Sequence, residues 1–91
     1  MDVRFHLDPD SGLPHIDSHG VTEDEAEFVL RHPGQDRPGR DASRHALGQT
    51  PAGRYLRVIY VPDEQGDGVF VVTAWELRGK SPRAYRRRKR R

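Results

Sequence analysis

The chain has 91 residues, one third apolar and one third charged, with a formal net charge of +2 and no cysteine. That length fits one domain, and a chain so short buries only ~60–65% of its unfolded surface, so a partner or a second copy has room to contribute. The missing cysteines exclude disulfides and thiolate metal centres, and no apolar run approaches the ~20 residues of a membrane-spanning helix.

Val3, Phe5 and Leu7 alternate with Asp2, Arg4 and His6, the period-2 pattern of a half-buried strand. The start, Met1-Asp2-Val3-Arg4, lacks the apolar stretch of a signal peptide, so a cytoplasmic protein with no membrane partner is expected. Asp8-Pro9-Asp10-Ser11-Gly12 reads as a turn, and Leu13 to Gly20 as a short segment with one helical turn opening at Pro14. The first firm helix begins after Thr22. Thr22-Glu23-Asp24-Glu25 is a capping box, in which the threonine hydroxyl accepts from the Glu25 amide and Glu25 reaches back. Its three acids favour the positive end of the helix dipole. Val21, Ala26, Val29 and Leu30 form one apolar stripe with Phe28 at its edge, and Pro33 stops the helix.

Residues 33–43 hold two prolines and two glycines and read as a long, mobile loop. Three strands follow, over Arg44 to Gln49, Arg54 to Val61 and Val69 to Leu77, close enough in sequence for an antiparallel meander. A last helix is capped by Ser81 with Pro82 at its first position, and then becomes almost pure cation. From Arg78 to Arg91 there are nine Lys or Arg and no acid, whereas residues 1–77 carry seven Arg against fourteen Asp or Glu. The order β-α-β-β-β-α predicts an α+β domain: a small antiparallel sheet of about four strands, an N-terminal helix and a C-terminal basic helix. The domain spans residues 1–85, and 86–91 form a basic tail.

Phe5 with Asp8-Pro9, then His19-Gly20-Val21-Thr22-Glu23-Asp24-Glu25-Ala26, then Arg44 with Gly48, then Gly53-Arg54-Tyr55-Leu56, and Ala74 with Tyr85 stand in one order and spacing. In that order and spacing the chain resembles the BrnT-type toxins, RelE-like ribonucleases of type II toxin–antitoxin pairs. The resemblance covers nearly the whole chain. It implies a RelE-like fold, action on RNA or the ribosome, an antitoxin partner, and metal-independent cleavage with no cofactor. Ser11, His15, Trp75 and Ser81 stand where the family usually has lysine, asparagine, arginine and glutamate. Two functions therefore stand open: a ribonuclease, or a non-catalytic RNA-, DNA- or ribosome-binding module of the same fold. A third reading is a homo-oligomeric housekeeping protein, such as a homodimer, with no nucleic acid involved.

RelE-like chemistry needs a base for the ribose 2′-hydroxyl, an acid for the leaving oxygen and cations for the phosphorane. His19, Arg44, Arg54 and Glu76 are the catalytic candidates. Arg44 and Arg54 open neighbouring strands, where they either meet a phosphate together or pair with the chain's own acids. Arg57 sits on the strand face of Tyr55 and Ile59, opposite Leu56, Val58 and Tyr60. There it lines a ligand face or snorkels at the edge of a layer. Trp75 either stacks on a base or covers the core. With Arg57 and Trp75, the nucleic-acid-binding candidates are Arg78, Lys80, Arg83, Tyr85, Arg86, Arg87 and Arg88. Those cations either release counterions from a polyanion or neutralise the acidic helix. His15 and His19 are four apart, a metal-ligand spacing, but no third ligand is evident and no metal is expected.

Overall fold

A computed structural model describes residues 1–78. Its plan follows from the longest alternating stretch in the sequence. In Tyr55–Pro62, Leu56, Val58 and Tyr60 are buried, while Tyr55, Arg57, Ile59 and Val61 are only partly covered. A strand with one apolar set needs an apolar layer on that side alone, and among the described residues one α-helix and one 3-10 turn supply it.

The elements in chain order are β1 (Val3–Phe5), a 3-10 turn (His15–His19), α1 (Glu23–Arg31), β2 (Gln35–Pro38), β3 (Arg44–Gln49), β4 (Tyr55–Pro62) and β5 (Val69–Glu76). They build a five-stranded sheet in the order β1-β5-β4-β3-β2. The capping box forms as the sequence requires: Thr22 Oγ1 accepts from the Glu25 amide at 3.1 Å, and Glu25 Oε1 accepts from the Thr22 amide at 3.0 Å. The α1 stripe buries Ala26 and Val29 against β3 and β4, and the 3-10 turn drops Ile16 onto β5. Gly48 permits the close approach of helix and sheet. A Cβ there would stand 3.1 Å from Val29 Cγ1 and 3.4 Å from the His32 carbonyl oxygen.

The fold class is α+β, with two corrections. The sheet is mixed rather than antiparallel, because β1 runs parallel to β5, with Val3 opposite Val69 and Phe5 opposite Val71. The chain crosses the covered face between these two strands, and so delivers them in the same direction. The sheet also has five strands rather than about four. Gln35–Pro38, expected within a loop, pairs antiparallel with β3 from Gln35 opposite Leu47 to Pro38 opposite Arg44. This segment has no apolar alternation, and only pairing with β3 makes it a strand. Pro38 is tolerated because β2 is an edge. The basic helix expected after Ser81 and the tail at 86–91 lie outside the described residues.

One irregularity governs β5. The register of β4 against β5 shifts between Ile59 and Tyr60: Ile59 faces Thr73, but Tyr60 faces Val71. Val72 is left over as a bulge and is exposed. Val69 and Val71 point into the core before it, and Ala74 does so after it. No described helix is long and apolar enough to cross a membrane.

Leu56 is fully buried at the centre of this layer. Leu56→Ala should cost ~2–5 kcal/mol in urea unfolding, whereas Val72→Ala at the exposed bulge should change stability by no more than ~0.5 kcal/mol.

Candidate functional site

The face of the sheet away from α1 carries the polar and aromatic half of the alternation. One row crosses four strands on this face: Gln35, Leu47, Arg57 and Trp75, each opposite the next. The adjoining row is Arg37, His45, Ile59 and Thr73. No described helix packs here, since α1 and the 3-10 turn both lie on the other side. Leu47, Leu77 and Tyr55 form a small apolar cluster at one end of this face.

Arg57 is its centre. Its Nη1 lies 3.0 Å from His45 Nδ1. A guanidinium is always a donor, so His45 accepts at Nδ1 and carries its proton on Nε2, a tautomer assigned from this contact. The guanidinium carbon stands 5.9 Å from the centre of the Trp75 ring, within cation–π range. Arg57 Nε is buried with no hydrogen-bond partner, as is Gln35 Oε1 in the same row. Among the described residues no carboxylate lies within ion-pair distance of Arg57, unlike Arg44 and Arg54.

Arg54 is held by acids. Its Nη1 lies 2.8 Å from both Glu25 oxygens and 3.1 Å from the Gly20 carbonyl, and its Nη2 lies 3.2 Å from Glu76 Oε1. Arg78 reaches the same Glu76 oxygen at 3.3 Å. Burial opposes the charge of Glu25, but the Thr22 amide and Arg54 outweigh it and hold that carboxyl below its ordinary value of 4.5. Desolvation likewise works against Arg54, and Glu25 and Glu76 overcome it, so its pKa is raised. Two cations and two carboxylates close on one another, leaving little charge for a phosphate.

Arg44 is also paired. Its Nε bonds Asp36 Oδ1 at 3.1 Å, and the Tyr60 hydroxyl donates to Asp36 Oδ2 at 2.7 Å. Burial first, and then the bond to Asp36, push the Tyr60 hydroxyl pKa up. Arg44 and Arg54 do not meet. β3 and β4 are antiparallel, with Arg44 opposite Tyr60 and Gln49 opposite Tyr55, so residues that open the two strands stand at opposite ends. Arg54 lies six positions along from Tyr60, Arg44's partner, so the two arginines stand ~20 Å apart.

The expected catalytic residues are thus divided. His19 adjoins Gly20, whose carbonyl accepts from Arg54, and Glu76 joins the same network; Arg44 is at the far end. Arg57 and Trp75 come together on the opposite face. Lys80, Arg83, Tyr85, Arg86, Arg87 and Arg88 lie outside the described residues, and Arg78 is exposed beside Glu76. Among the described residues no three His, Asp or Glu side chains converge as a metal cage. The sequence reading missed His45, although the β3–β4 hairpin places it on the face of Arg57. It also missed Gln35, which belonged to a strand with no pattern to read.

Removing Arg54 strands Glu25 and Glu76. A carboxyl depressed in the folded state stabilises above its unfolded value and loses that contribution as pH falls through its folded value. Arg54→Ala should therefore lower the urea midpoint at pH 7, and the deficit should narrow as pH drops below 4.5. A deficit unchanged at pH 3.5 would show that Arg54 acts through packing alone.

No family model matches the chain, and neither a curated protein nor a solved structure is significantly similar to it.

Proposed function

We propose that this chain is an RNA-binding protein of RelE/BrnT-like build that holds single-stranded RNA on the uncovered sheet face without cutting it. The observation that carries this reading is Arg57, a half-buried cation with an unpartnered Nε, set between His45 and Trp75 and away from any described carboxylate. A guanidinium with a free donor suits a phosphate or a base oxygen, and an aromatic ring on a strand platform suits an unstacked base. The nine cations from Arg78 to Arg91 add salt-dependent attraction for the backbone. That attraction brings the strand close, and contacts on the sheet face select within it.

Two observations weigh binding above cleavage. Arg54, which bonds the Gly20 carbonyl next to His19, already answers two carboxylates, and Arg44 lies at the far end of the sheet. A ribonuclease needs base, acid and unspent cation around one phosphate. If the chain belongs to a toxin–antitoxin pair, the antitoxin or the ribosome would meet this same face.

Fluorescence anisotropy with a labelled single-stranded RNA tests the reading. Arg57→Ala and Trp75→Ala should each weaken binding about ten-fold, within the ~1–3 kcal/mol of one stacked base. Arg44→Ala should leave affinity unchanged while lowering stability. Deleting residues 86–91 should weaken binding at low salt and flatten its salt dependence. Wild-type affinity in the Arg57→Ala, Trp75→Ala double variant would remove the sheet face from the interaction. RNA cut by the purified chain, with or without ribosomes, and left whole by His19→Ala would restore the ribonuclease.

A further inference from the structure

The geometry points to a divalent transition-metal site made by His15 and His19, independent of the RNA-binding reading and on the opposite side of the sheet. The two Nε2 atoms lie 3.3 Å apart and the ring centres 5.0 Å apart, with the planes at 77°. Two imidazoles on one tetrahedral metal, each at ~2.0–2.1 Å, hold their ligating nitrogens ~3.3–3.4 Å apart. The same construction places the ring centres ~5 Å apart. Both distances match.

The local fold produces this bite. A regular 3-10 helix puts residues i and i+3, not i and i+4, over one another. Here the Gly20 amide bonds the carbonyls of both Asp17 and Ile16, so the last turn opens toward α-helical pitch and the rings four apart face each other. Gly20 ends the turn with a φ of +73°, the left-handed conformation that glycine adopts at no steric cost. Ile16, 1% exposed, and Val21 pin the turn to the core on either side. The pair is therefore presented by a fixed piece of backbone. His6 lies nearby, its ring centre 6.0 Å from that of His15, but the three do not come together as a metal-holding group among the described residues.

A site with two protein ligands leaves coordination positions for water or for a donor on a partner. Imidazole nitrogen selects copper, nickel and zinc over the oxygen-seeking magnesium and calcium. With two like donors and no imposed cage, affinity should follow the ordinary series, copper above nickel and zinc.

The test is calorimetric titration of the tag-free full chain with Zn(II), Ni(II), Cu(II) and Mg(II). One equivalent of each transition metal should bind, copper tightest, with no heat from magnesium. His15→Gln and His19→Gln should each lower zinc affinity at least ten-fold, and His32→Gln should leave it unchanged. Because ring nitrogens report directly, 15N spectra should show the Nε2 atoms of His15 and His19 moving together on zinc addition. No saturable zinc binding, affinity retained in both variants, or shifts at other histidines would each overturn the site.

Discussion

The two faces of β4 set the terms for everything else in this molecule. Leu56, Val58 and Tyr60 require an apolar cover, and the described helical elements lie on that side alone. α1 and the 3-10 turn are spent on that side. The other side keeps Tyr55, Arg57, Ile59 and Val61 with no described element upon them. A half-covered sheet is a normal outcome for antiparallel pairing, but a guanidinium with an unsatisfied nitrogen in the middle of it is not. Packing one face well leaves the other with no cover among the described residues.

The ion network at the end of the covered face has a mechanical sense. Glu25 lies in the first turn of α1, Arg54 just before β4, and Glu76 at the end of β5. Arg54 therefore ties the start of the helix to two strands and, through the Gly20 carbonyl, to the end of the 3-10 turn. A buried or half-buried ion pair adds little net stability over an apolar replacement, yet breaking it by removing one partner costs much more. Arginine fits such a junction because its planar fork serves several acceptors at once. Asp36 plays the smaller counterpart at the opposite end, holding Arg44 and Tyr60 and fastening the edge strand β2.

Much of the architecture was legible in the residues. Capping at Thr22, the α1 stripe and the three long strands each rest on a local pattern, and local patterns survive folding. Alternation also placed Arg57 on the face of Tyr55 and Ile59. β2 was not legible, because Gln35–Pro38 becomes a strand only by pairing with β3. The parallel placement of β1 depends on the path of the whole chain. The fate of the arginines was the hardest part to read. Whether a cation faces solvent, a phosphate or a carboxylate is decided by what lies opposite it, and Arg54 meets Glu25 across 29 residues of sequence.

Strict alternation along Val69–Glu76 would group Val69, Val71, Thr73 and Trp75 together and bury the tryptophan. The single extra residue at Val72 exchanges odd and even positions beyond it, so that Ala74 goes inward and Trp75 comes out beside Arg57. A chain lacking that one residue could keep its core or its ring beside the guanidinium, but not both. The extra methyls of Val72 are left in water, and in return one strand serves the interior with its first half and the exterior with its second.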